Sequence, residues 1–194
     1  MKLVKYCAFS CALMIVSMGF SSRAQASTTQ AVPAKAELVR SVSAKNAKVG
    51  DVVAAKLTSE VKLPDGTTLP RNTVITGKVD NVNAANSGDD MSKLTLTFDN
   101  AQVKGGKTVP VKTMIVRIST PFNPADNNDK SALSIGPTTI PDDQSVKFVP
   151  GAKGSFGLES DMQSNVSGTV TREGNDVELA RGTDVLFAVS AAGQ

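Results

Sequence analysis

Few side chains in this chain could carry out chemistry. The 194-residue sequence contains no His, and its two Cys, Cys7 and Cys11, sit with its single Tyr, Tyr6, near the N-terminus. A Ser-His-Asp or Cys-His nucleophile needs an imidazole base, and zinc is normally held by imidazole or thiolate. Neither arrangement can be built from the remaining residues. Carboxylates, Lys, Arg and hydroxyls are left. Glycoside hydrolysis needs two opposed carboxyl groups, and sequence-near pairs exist in Glu173 with Asp176, Glu178 with Asp184, and Asp142 with Asp143. A sugar cleft usually presents aromatic platforms, however, and past the N-terminal segment the chain offers five Phe and no Trp or Tyr. The ordinary role of acids in turn-rich stretches of this kind is to solvate the turn.

Three other clusters invite a chemical reading. Asp126, Asn127, Asn128 and Asp129 form a run of hard oxygen ligands of the sort Ca²⁺ prefers, and this is the one candidate metal loop. Its spacing lacks the Gly and terminal Glu of an EF-hand, so a solvated Pro/Asn loop is the competing reading. Gly151-Ala152-Lys153-Gly154 has no Walker spacing and reads as backbone turning. Asn165-Val166-Ser167 matches a glycosylation sequon. No catalytic residue and no cofactor is expected.

The elements that would position such groups begin with a targeting segment. Residues 1–26 have a basic start (Lys2, Lys5), an apolar stretch from Tyr6 to Phe20, and Ala24-Gln25-Ala26, the small-x-small pattern of signal-peptidase cleavage. Ser27 then becomes the first residue of the exported chain. The apolar run is shorter than the ~20 residues a spanning helix needs, and no Cys stands at the cleavage point for lipidation. Removing Lys2, Lys5 and Arg23 lowers the basic count from 21 to 18, equal to the 18 acids, so the formal charge of +3 disappears. A nucleic-acid partner therefore loses its electrostatic basis. With no disulfide, stability must come from a packed core.

Residues 27–36 read as a flexible lead-in and the domain as residues 37–191. From there the period is two. Val53, Ala55, Leu57 and Val61 share one parity; Leu94, Leu96 and Phe98 alternate with Lys93, Thr95, Thr97 and Asp99. Leu63-Pro64-Asp65-Gly66, Pro70-Arg71-Asn72 and Gly105-Gly106 supply reversals. Val111 to Ser119 carries apolar residues on both parities and predicts a strand buried on both faces. Residues 120–144 are Pro- and Asn-rich and predict a long polar loop insertion. Strands resume at Ser145–Val149, Val166–Thr171, Asp176–Ala180 and Thr183–Ser190. The expected fold is all-β, a single barrel or sandwich of nine to ten short, mostly antiparallel strands.

Four stretches resemble one known arrangement: Asp51 to Leu57, Leu69 to Val79, Leu94 to Phe98, and Val177 to Val189. Together they are similar to the C-terminal β-barrel domain of the conjugation and type IV secretion scaffold (TrbI-like) family, or to short exported bacterial proteins of unknown function with the same core. The resemblance spans about Leu38 to Val189, interrupted by the insertion. This chain departs from the scaffold in having no inner-membrane helix with a Pro-rich stalk and no amphipathic helical pair at 120–144. What the resemblance implies is a non-catalytic barrel in the cell envelope, periplasmic or secreted, acting through a protein partner, with no membrane span once the signal is removed. A small-molecule or cation-binding barrel is the alternative, and a carboxylate-based hydrolase the third reading.

Overall fold

The computed structural model describes residues 30–85, 90–120 and 134–192. The expected signal segment, residues 1–26, and the candidate metal residues Asp126, Asn127, Asn128 and Asp129 lie outside the described residues. All regular structure among the described residues is β: there are fourteen strands, ten of them in one sheet.

β1 (Val32–Leu38) falls largely where the sequence predicts a flexible lead-in, and this is a correction. Ala34 and Ala36 are wholly buried there. Alanine is too small to mark an apolar face by pattern, and Pro33 sits where β1 pairs only with β14 (Asp184–Ala191), leaving its other edge without a ladder to break. After β2 (Val42–Ser43), β3 (Val52–Leu57) buries Val53, Ala55 and Leu57 and exposes Val52 and Lys56, as the period of two requires. β4 (Val61–Lys62) and β5 (Thr68–Leu69) form a small ladder. Its turn is held by the Asp65 carboxylate, which accepts the Thr67 N–H at 2.8 Å, and by Gly66 at φ 84°.

β6 (Val74–Asn83), β7 (Met91–Gln102) and β8 (Thr108–Ser119) then run antiparallel, with Gly105 and Gly106 both at positive φ in the last hairpin. Neighbouring strands follow the order β7-β6-β3-β1-β14-β8, and β8 pairs back onto β7 through Thr108–Pro110 and Asn100–Gln102. Six strands thus close a barrel. Its interior is filled by side chains, as small barrels require: Phe98 from β7 and Phe187 from β14 meet edge-on with ring centroids 5.0 Å apart.

The 120–144 segment is not all loop. Within it β9 (Ser134–Ile135) pairs with the end of β8, and Ile135 is 1% exposed, so a two-residue strand too short to show a period joins the core. β10 (Ser145–Phe148), β11 (Phe156–Asp161) and β12 (Gly168–Glu173) extend the sheet from the first half of β7 and fold over β8. The Ser160 hydroxyl donates to the Ile115 carbonyl, and Gly168 lies against the Ile115 side chain. Met114, Ile115 and Val116 are consequently all buried, as the two-sided pattern of β8 predicts. β13 (Glu178–Leu179) pairs with β2.

The barrel has an internal two-fold that no repeat in the sequence announces. Ala36↔Leu57, Glu37↔Lys56 and Leu38↔Ala55 pair β1 with β3 about a local dyad. Across it, the turn Leu69-Pro70-Arg71-Asn72-Thr73 corresponds to Leu179-Ala180-Arg181-Gly182-Thr183. The Thr73 N–H donates to Pro70 O and the Thr183 N–H to Ala180 O, both at 3.1 Å. Leu57 N–H donates to Thr73 O and Leu38 N–H to Thr183 O, both at 2.9 Å. Asn72 (φ 70°) and Gly182 (φ 81°) occupy the same left-handed position. Even the bulges correspond: Thr76/Gly77 against β7 and Leu186/Phe187 against β8.

Candidate functional site

Where the two-fold breaks, the structure builds its most constrained polar cluster. Past the hairpin, β7 and β8 diverge and Ser167, just before β12, enters the seam. Its N–H donates to Leu96 O at 2.9 Å and its carbonyl accepts the Ile115 N–H at 2.7 Å. Its hydroxyl accepts the Phe98 N–H at 2.7 Å and lies 2.6 Å from the Thr113 hydroxyl, which in turn donates to Phe98 O at 2.7 Å. Every one of these groups is buried, so each bond replaces a ladder bond lost at the divergence. The two hydroxyls bond to each other and to the main chain of Phe98, and the arrangement is a structural stitch.

Three of the surface depressions concern these elements. The first, about 680 Å³, lies at one barrel end between the Arg71-Asn72 turn and the β7–β8 hairpin, where Gln102, Lys104 and Thr108 line it. The second, about 280 Å³, sits over the stitch, with Asp99, Lys112 and Asn165 on its walls. The third, about 150 Å³, lies across β1, β14 and β8, where Lys35, Arg117 and Asp184 share the wall.

Two of the sequence-expected carboxylates accept local hydrogen bonds. Asp176 accepts the Ala85 N–H at 2.9 Å, and Asp143 accepts the Ser145 hydroxyl at 2.8 Å. That hydroxyl, then the Ser145 N–H, holds the Asp143 carboxyl below its ordinary range. Glu178 stands on the β2–β13 ladder opposite Ser43, whereas Asp184 begins β14 between Glu37 and Ser119, on a different sheet. Glu173 ends β12 opposite Met91, and its carbonyl accepts the Gly154 N–H, placing the Gly151–Gly154 stretch in the turn before β11. Asn165 of the sequon lies on the wall of the second depression. Among the described residues no group of three or more His, Cys, Asp or Glu could hold a metal ion, and no helix is long and apolar enough to cross a membrane. Sequence reasoning missed the stitch, because Ser167 and Thr113 are ordinary strand residues until the seam brings them together.

No family model matches the sequence, and no curated protein matches it. Among solved structures the chain is similar to ComB10 of the Com type IV secretion system of Helicobacter pylori. The identity is 13%, over 81% of this chain and 88% of that chain, with a TM-score of 0.35. A likeness at that level assigns no residue a role.

Proposed function

We propose that this chain is an exported, non-catalytic β-barrel that acts by protein contact in the bacterial cell envelope, as a scaffold or accessory module of the conjugation and type IV secretion kind. The observation that carries the reading is the division between a filled barrel and a side sheet that, among the described residues, ends in an unpaired edge. Phe98, Phe187, Ile75 and Leu96 occupy the core, which directs recognition to the surface. Among the described residues the side sheet ends at β10, which has a neighbour on one side only; Phe148, its last residue, and Val149 just past it are 51% and 65% exposed. An unpaired strand edge flanked by exposed apolar side chains is a surface that a second chain can extend.

A photo-activated cross-linker at Lys147, the exposed β10 residue next to Phe148, used in native envelope, tests this. The expected result is a discrete heterologous adduct that is lost in the F148S/V149S variant while the melting temperature stays put. Adducts of the chain with itself alone, or none, would count against the reading.

A further inference from the structure

We infer that the crease between the Arg71-Asn72 turn and the β7–β8 hairpin binds a phosphate group. The first ground is charge segregation. Once residues 1–26 are set aside the chain has no net charge, yet the Pro70–Thr73 turn and the Val103–Lys107 hairpin that flank the crease carry Arg71, Lys104 and Lys107 and no acid. Arg71 and Lys104 line the crease itself, and among the described residues that line it none is acidic. The 150 Å³ depression, by contrast, sets Asp184 on the same wall as Lys35 and Arg117. An uncompensated guanidinium beside an ammonium, with the neutral donors Asn72, Gln102 and Thr108 around them, is a donor set for an oxyanion.

The second ground is the two-fold, which supplies a control inside the molecule. At the related turn, Arg181 is followed by Gly182 at φ 81°, and Asp184 stands where Val74 stands here. Glycine takes that backbone conformation without strain. In the crease the same position is Asn72 at φ 70°, one of two non-glycine residues with positive φ among the described residues. The left-handed turn is kept, an amide is added to the wall, and the acid is absent. The β7–β8 hairpin, which supplies Lys104, exists at this end alone because β7 and β8 pair only there. A crease of about 680 Å³ is roomy enough for a phosphorylated solute or a lipid headgroup, and phosphate is what the two share.

Amide shifts of the ¹⁵N-labelled protein, followed on adding pyrophosphate, and co-sedimentation with phosphatidylglycerol or phosphatidylcholine vesicles test the site and separate the sources. Saturable shifts at Arg71, Asn72 and Lys104 with pyrophosphate indicate a free phosphorylated ligand. Sedimentation with phosphatidylglycerol but not phosphatidylcholine, without a pyrophosphate response, indicates a headgroup. In either case R71Q/K104Q should weaken binding by about tenfold or more, K104Q alone should weaken it to a lesser degree, and R181Q should leave it unchanged. All three side chains are exposed, so the variants keep the fold. No response to either probe, shifts spread equally over the other surface lysines, or equal losses in R181Q and R71Q/K104Q would overturn the assignment.

Discussion

Replacing Gly77 with alanine tests the closest approach in the barrel. A Cβ at this position would stand 1.7 Å from Thr97 O, 2.6 Å from Thr97 C and 2.7 Å from Phe98 Cα, all of them main-chain atoms of β7. No side-chain rotation relieves that overlap. Restoring ordinary contact requires β6 and β7 to part by about 1.5 Å at the bulge, which stretches adjacent ladder bonds past the ~3.5 Å at which they cease to count. Losing two or three buried backbone bonds at about 1 kcal/mol each, with some groups left unpaired, gives a destabilisation of about 3–5 kcal/mol. Against the 5–15 kcal/mol typical of a domain, this is a large fraction. Urea unfolding should show a G77A midpoint lower by about 2 M. Gly151→Ala, where nothing lies within 4 Å of the new methyl, should stay within about 0.5 kcal/mol of wild type. A G77A midpoint matching wild type would refute both the bulge at Thr76/Gly77 and the register beyond it.

Ser167→Ala removes the acceptor of the Phe98 N–H in a buried seam, so it should cost about 1–3 kcal/mol by denaturant unfolding, and the Phe98 amide should lose hydrogen-exchange protection. At the two related turns, Gly182→Ala should destabilise by about 1–2 kcal/mol while Asn72→Gly should cost nothing, since both positions hold a left-handed backbone. The Asp143 carboxyl should titrate below an ordinary aspartate, and Ser145→Ala should return it toward that range in carbon-detected NMR. Because the folded value is the depressed one, the stabilisation from this contact is fully present above the unfolded carboxylate pKa and disappears as the pH falls through the folded one.

The long amphipathic strands were legible because their periods are long enough to read. Leu94, Leu96 and Phe98 on β7, the two-sided apolar run of β8, and the Gly105-Gly106 reversal all stand where the pattern puts them. β1 was hidden because its inward residues, Ala34 and Ala36, carry almost no hydropathic signal, and β9 because two residues have no period. β11 was obscured because Gly157 follows Gly151 and Gly154 in a glycine-rich stretch with no apolar period. That glycine is required where it is: a Cβ would fall 2.5 Å from the Thr171 hydroxyl and 2.8 Å from Phe148 O, so the residue marks close strand approach. The two-fold was illegible for a different reason. Only Leu, Arg, Thr and Val recur between Leu69–Val79 and Leu179–Val189, and one half of the barrel is assembled from three separated stretches, β1, β8 and β14, so no contiguous repeat exists to find.

The stitch explains why the two barrel ends are chemically distinct. A strict two-fold would have β7 and β8 pair at both ends, with Met91–Lys93 lying against Arg117–Ser119 as the counterpart of Asn100–Gln102 against Thr108–Pro110. In this chain β12 occupies the first of those stretches and β9 the end of the second. Opening the seam exposes the main chain of Leu96, Phe98 and Ile115, and a buried unpaired amide or carbonyl costs more than a typical hydrogen bond returns. Ser167 and Thr113 supply those partners, with the Ser160 hydroxyl on the Ile115 carbonyl. The side sheet is therefore held by the same groups that allow the barrel to open, and the hairpin with its lysines remains at one end only. Weakening the stitch should loosen the β10 edge and the seam together, while the Arg71 crease, built on the paired side of the hairpin, keeps its geometry.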